Sequence, residues 1–261
     1  MEPLRLALAQ MRPVDASAAP ARLEAAAAAA AAAGAHLLVL PELALTGYDI
    51  GPLDALAEPA DGPRERMLAA AARRHRLAIL AGLPRRDGAG VLNLALLAGP
   101  DGAPLGAYAK THLFGDDAAR FVPGPGFAAP VAYRGWRLGL AVCYDIEFPE
   151  TARALALAGA DLILAPTANM APFDTVSTRL LPARAQENAV FLGYANFTGR
   201  EGRFDYLGQS CILGPDGADL ARAGAEETLV VADLDPAARA AARALSQIRD
   251  RRPDLYGPLA T

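Results

Sequence analysis

Three side chains in this sequence stand where chemistry is possible. Cys143 closes the apolar run Leu138-Gly-Leu-Ala-Val142 and is followed by Tyr-Asp-Ile-Glu-Phe-Pro149. So short a run without a polar side chain predicts a strand buried on both faces, and Pro149 suits the first turn of a helix. A thiol at that junction stands at the strand's carboxyl end, near backbone N–H groups not yet paired, where a cysteine becomes a nucleophile. Glu42 follows a second apolar run, Leu38-Val-Leu-Pro41. A carboxylate among Leu, Ala and Pro has a raised pKa, which suits a general base. Lys110 ends the uncharged segment Tyr108-Ala-Lys110 and precedes Thr-His-Leu-Phe-Gly115. Singly, each has a plainer reading: a small buried hydrophobe, a surface glutamate opening a loop, a solvated lysine at a hairpin foot. What the three stretches share is one reactive side chain beside a strand end, and the chemistry on offer is that of a thiolate served by a carboxylate.

The elements that position them follow from the pattern of apolar runs and turns. Strands are expected at 4–10, 36–40, 77–83, 91–98, 104–110, 131–133, from 136 into Cys143, and at 161–165, 189–196, 207–213 and 229–234. Helices are expected at 17–33, with Ser17 as N-cap and Gly34 as stop, and at 63–74, 150–157, 179–187 and 237–248. A loop covers 42–52, and the tail from Arg249 lacks a core pattern. Gly99-Pro-Asp-Gly102 and Gly214-Pro-Asp-Gly217 are each expected to close a hairpin. Strands and helices alternate twice with no linker between the halves, which predicts one α/β domain over 1–261. Its core covers about 4–234, and a C-terminal helix and tail occupy 236–261. Helices flanking two stacked sheets bury all the uninterrupted strands.

Bulk properties exclude several classes. With 25 Lys and Arg against 29 Asp and Glu, the net charge of −4 does not favour nucleic acid or an anionic membrane surface. Cys143 and Cys211 make no disulfide framework and suit a reducing compartment. The N-terminus lacks the layout of a secretory signal, and the alanine run at 25–33 is too short to span a bilayer. A cytoplasmic protein is expected. His36, His75 and His112 have no ligand spacing, so no metal site is expected, and Gly124-Pro-Gly126 lacks the spacing of a phosphate loop.

The stretches PEL at 41–43, KTHLF at 110–114 and CYDIEFPE at 143–150, in this order and spacing, resemble the nitrilase superfamily of carbon–nitrogen hydrolases. CYDIEFPE with PELALTGYDI is most similar to its bacterial amide hydrolases. The resemblance implies a four-layer αββα sandwich with a Glu–Lys–Cys triad in a pocket at the strand ends. Carried over by position, Glu42 is the base, Lys110 the cation that stabilises the oxyanion, and Cys143 the nucleophile. The Tyr144 backbone N–H serves as a second oxyanion donor. The resemblance also implies a homodimer or larger homo-oligomer, without metal or cofactor.

One departure matters. Amidase-type members carry a second glutamate in the loop after the lysine, whereas here that loop reads Gly115-Asp-Asp-Ala-Ala-Arg-Phe121. Asp116 or Asp117 stands in, Asp117 being favoured by its spacing from Lys110, unless both are solvated loop residues. Tyr48, Phe114, Asp145 and the loop Thr167-Ala-Asn169 are expected to line the pocket. Glu150 is expected to support the helix start, while Arg184 to Asn188 and Cys211 are expected to be structural. The expected activity is hydrolysis of a small carboxamide to acid and ammonia through a cysteine thioester. A nitrilase, an N-carbamoyl hydrolase and a non-catalytic binding protein on the same fold are the competing readings.

Overall fold

The computed structural model of the protein describes residues 1–49, 53–88 and 90–257. The end of the expected 42–52 loop and the last four residues of the tail lie outside the described residues. The first half contains β1 (Leu4–Gln10), α1 (Ala19–Ala32), β2 (Leu37–Val39), α2 (Leu53–Leu56), α3 (Pro63–His75), β3 (Ala78–Asp87), β4 (Gly90–Ala98) and β5 (Pro104–Ala109). The second runs through β6 (Val131–Tyr133), β7 (Trp136–Leu140), α4 (Pro149–Leu157), β8 (Leu162–Pro166), α5 (Leu181–Asn188) and β9 (Phe191–Ala195). It ends with β10 (Thr198–Glu201), β11 (Phe204–Leu207), β12 (Cys211–Leu213), β13 (Asp219–Arg222), β14 (Thr228–Leu234) and α6 (Pro236–Leu245).

Two six-stranded sheets result, in the orders β14-β1-β2-β3-β4-β5 and β13-β12-β9-β8-β7-β6, and β10 pairs with β11 apart from them. In each, three consecutive strands run parallel: β1, β2 and β3 in one, β7, β8 and β9 in the other. Leu4, Leu6 and Leu8 of β1, with Leu37, Val39 and Leu80, meet Trp136, Leu138, Leu140, Leu162 and Leu164 of the second sheet. The alternate residues Ala7, Ala9, Leu38 and Ile79 face the helix layer, where Leu23, Ala27 and Ala30 of α1 and Leu68 and Ala72 of α3 pack. Ile163, Ala165, Leu192 and Tyr194 do the same against Leu155 of α4 and Leu181 and Ala185 of α5. Because both faces of the central strands are covered, their sequences are apolar without alternation. The four layers are helix, sheet, sheet, helix, as expected.

The boundaries differ where local chemistry intervenes. α1 is capped at Ala18 rather than Ser17, because the Asp15 carboxylate takes the N–H groups of both Ser17 and Ala18. β3 continues to Asp87 by pairing Pro84 to Asp87 with β4. β7 stops at Leu140, three residues before the cysteine. The expected 207–213 strand is broken by Gly208 and Gln209, both at positive φ, and the hairpin before it and β13 were not foreseen. The expected 237–248 helix ends at Leu245, Ser246 capping a separate 3-10 turn. Both Gly-Pro-Asp-Gly turns are hairpin turns: Gly102 donates to Gly99 and Gly217 to Gly214, each second glycine at a φ near +80°. Among the described residues, no helix is long and apolar enough to cross a membrane.

Candidate active site

The candidates gather at the carboxyl ends of strands from both sheets. Glu42 lies just past β2, and its backbone N–H donates to Thr167 O at 3.2 Å, past the end of β8 in the other sheet. This loop presses on β3 at Gly82, where an added Cβ would lie 2.2 Å from Leu43 N, so only glycine permits the approach. Lys110 directly follows β5; its N–H donates to Asn93 O at 2.9 Å and its carbonyl accepts from Gly124 at 2.8 Å. Cys143 opens a 3-10 turn between β7 and α4 at φ 49°, the left-handed region that a non-glycine residue occupies only when its surroundings hold it there.

The side chains converge. Lys110 Nζ donates to Glu42 Oε1 at 2.8 Å and to Asp117 Oδ2 at 2.7 Å, all three residues buried. Asn93 Nδ2 donates to the same Glu42 oxygen at 2.7 Å, and the Tyr48 hydroxyl donates to Asp117 Oδ1 at 3.0 Å. Glu42 Oε2 and the Thr167 hydroxyl, both buried, have no conventional hydrogen-bond partner among the described residues. The half-buried Cys143 thiol is close enough to both to interact, and to the Ala168 N–H.

Burial sets the direction of these ionisations. It pushes the Glu42 carboxyl up, opposed by the Lys110 charge and reinforced by that of Asp117. Burial also raises the Cys143 thiol, and the Glu42 charge adds to the effect against the pull of Lys110. For Lys110, burial works against the ammonium, yet its acidic neighbours, Glu42 first, outweigh it and keep the pKa raised. The resting arrangement is therefore a neutral thiol beside a firmly held ammonium and a carboxylate readier than usual to accept a proton.

A cavity of about 190 Å³ opens onto the thiol, lined by Tyr48, Phe114, Tyr144, Glu147, Asn169 and Phe173. At about 30 Å³ per water this is room for a small molecule only. A larger groove of about 560 Å³, reaching from Pro13 to Glu201, holds none of the three candidates. Tyr48, Phe114 and Asn169 thus line the cavity, and so does Tyr144, of which the sequence singles out only the backbone N–H. Asp145 does not line this cavity. Its buried carboxylate takes the N–H groups of Val142, Thr111 and His112 and the Thr111 hydroxyl, tying the two loops together. With the His112 ring also 2.8 Å from it, five partners surround this carboxylate and it holds the loops rather than facing the cavity. Asp117 meets Lys110, while Asp116 is exposed and pairs with Arg203. Asn93 and Glu147 were missed. Asn93 carried a signal, as the one polar residue in the apolar run of 91–98. Among the described residues, no group of three His, Cys, Asp or Glu side chains is arranged to hold a metal ion.

Fold and site together define an α/β sandwich with a cysteine, a carboxylate and a lysine at one cleft. The family model described as carbon-nitrogen hydrolase matches residues 5–244, and the chain belongs to that family, in the amidase-like branch of the nitrilase superfamily. It is 48% identical over 230 residues to a protein of Pseudomonas protegens named "Hydrolase in pqqF 5'region", covering 86% of this chain and 81% of that one. It is 38% identical over 224 residues to the (R)-stereoselective amidase of a Pseudomonas species, covering 85% and 81%. An amidase crystal structure from a Nesterenkonia species superposes with a TM-score of 0.86 at 37% identity, covering 97% of this chain and 95% of that one. Another structure of that amidase carries an acrylamide adduct on its active-site cysteine. The protein is an amidase-type enzyme that cleaves C–N bonds with a cysteine nucleophile.

Proposed function

We propose that the chain hydrolyses a small carboxamide to acid and ammonia, with Cys143 as nucleophile, Glu42 as base and Lys110 as oxyanion-binding cation. Glu42 accepts the thiol proton as sulfur attacks the carbonyl carbon. The Lys110 ammonium and the Tyr144 N–H receive the developing oxyanion, and loss of one such donor typically costs roughly 2.7–4 kcal/mol. Collapse breaks the C–N bond, Glu42 gives its proton to the departing nitrogen, and ammonia leaves a thioester. Water, deprotonated by Glu42, adds to the thioester; the C–S bond breaks and the thiol is restored. Asp117 takes the place of the family's second glutamate, holding Lys110 together with Glu42.

The observation that carries this reading is the buried Lys110 ammonium clamped between two carboxylates, with the second oxygen of Glu42 left without a conventional partner beside the thiol. Such a cluster is costly to bury and has no evident structural return. The Nesterenkonia amidase has been seen with butyramide, and a small neutral amide fits the size of the present cavity. The test is ammonia release from a panel of amides, nitriles and N-carbamoyl compounds, with Cys143→Ala as control. Amide turnover that vanishes in the variant is expected; nitrile turnover without amide turnover would overturn the choice.

A further inference from the structure

One wall of the cavity is not explained by the reaction. Glu147 lines it, half-buried, and its carboxylate has neither an ion pair nor a hydrogen-bond donor among the described residues. Arg184 reaches only the Glu147 main-chain carbonyl, at 2.7 Å, and turns its other nitrogen to Glu187. The remaining walls are largely aromatic. Phe114 meets the Tyr144 and Phe173 rings edge-on, with centroids 5.2 and 5.6 Å apart, and Tyr48 closes the floor. Phe173 is 39% exposed, a large apolar surface left open at the rim. Asn169 gives its Nδ2 to Phe173 O, which leaves its side-chain oxygen unpartnered among the described residues.

A box of aromatic faces with one free carboxylate and one free carbonyl oxygen offers acceptors and π-electron density. The cations nearby are already engaged, Lys110 by Glu42 and Asp117 and Arg184 by Glu187 and the Glu147 main-chain carbonyl. Beyond its carboxamide, a neutral aliphatic acyl chain has nothing to give the carboxylate, and an anionic one is repelled by it. An ammonium satisfies the carboxylate and lies favourably against ring faces.

We propose that Glu147, within this aromatic box beside Cys143, makes the enzyme selective for carboxamides whose acyl chain carries an ammonium group. The inference rests on the amidase reading and narrows its substrate class. Burial raises the Glu147 carboxyl against the influence of Lys110 and Arg184, and an entering cation favours its charged form.

The test compares three amides of similar length: β-alaninamide, cationic; butyramide, neutral; and succinamate, anionic. The expected order of kcat/KM at pH 7.5 follows that sequence, with β-alaninamide ahead of butyramide by roughly tenfold or more. Glu147→Gln keeps the shape and removes the charge, so the ratio of β-alaninamide to butyramide should fall toward one. Butyramide used as well as β-alaninamide by the parent enzyme, or a ratio that survives Glu147→Gln, would overturn the inference and leave the amidase reading intact. If no amide is turned over, the amidase reading fails instead. Calorimetric binding of the same amides to Cys143→Ala, with and without Glu147→Gln, then decides the inference by the same ratio.

Discussion

Replacing Asp117 by Asn asks what holds the Lys110 ammonium. The substitution keeps shape and removes one of two charges on a buried cation, at an oxygen 2.7 Å from Nζ. Removing one partner of a buried ion pair typically costs about 3–5 kcal/mol. Here the low end applies, because Asn still accepts a hydrogen bond and Glu42 still pairs with Lys110 at 2.8 Å. A loss of about 3 kcal/mol in a chain of this size lowers Tm by roughly 6–12 °C. The effect on pH has a definite sign. After burial, the Asp117 charge is what pushes the Glu42 carboxyl upward, against Lys110. Without it Glu42 stays ionised to lower pH, so the acid limb of kcat/KM should move down. The rate should fall roughly tenfold to a hundredfold, since Lys110 is then fixed from one side only. Calorimetric melts and a pH–rate profile measure both effects. Asp116→Asn is the control: Asp116 is exposed and reaches only the Arg203 guanidinium, so melt and profile should match the parent. An Asp117→Asn enzyme with parental Tm and an unmoved or raised acid limb would refute the reasoning.

Alkylation with iodoacetamide under native conditions should mark Cys143 and spare Cys211, which is wholly buried and whose thiol burial pushes up to about 12. Because the Cys143 thiol is itself raised, its reactivity depends on Glu42 as proton acceptor, and Glu42→Gln should slow labelling by about a hundredfold. Peptide mapping that finds both cysteines labelled alike, or a rate indifferent to Glu42, would count against the proposed roles. Gly82→Ala places a methyl group 2.2 Å from Leu43 N, so the backbone carrying Glu42 must shift. Overpacking of this kind costs about 1–3 kcal/mol, and kcat should drop roughly a hundredfold while circular dichroism stays native; parental kcat would show that the approach is not needed.

The sheets were legible because strands covered on both faces must be apolar throughout, and Leu37 to Val39 and Leu162 to Ala165 advertise this directly. Reactive side chains stood out for the converse reason: Glu42, Lys110 and Cys143 each interrupt or end such a run. The hairpin of β10 and β11 was not legible, since Arg200, Glu201 and Asp205 make it polar and no layer covers it on both sides. Asp145 was misassigned because adjacency to Cys143 says nothing about direction, and a 3-10 turn sends neighbouring side chains to different sides. Glu147, two residues on, emerges at the cavity instead. Gly82 gave no sign, because a close backbone approach from a loop forty residues earlier leaves no mark in a strand's own pattern.

The site straddles the seam between the sheets, and that placement explains which parts of the fold set its precision. Glu42 and Lys110 extend from strands of one sheet, Cys143 and Thr167 from strands of the other. The thiol-to-base separation is therefore fixed by how the sheets stack, through the inner layer of Leu6, Leu8, Val39, Leu140 and Leu164 and the backbone bond from Glu42 to Thr167. Close-packed apolar interiors resist small displacements, which is why a hydrophobic layer can hold polar groups from separate sheets at bonding distance. The left-handed backbone at Leu43 and Cys143, each costing about 1–2 kcal/mol, is tolerated on the same ground. A strand continuing straight would carry its side chains past the cleft, and one left-handed residue after β2 and one after β7 turn the chain while the core beneath absorbs the strain.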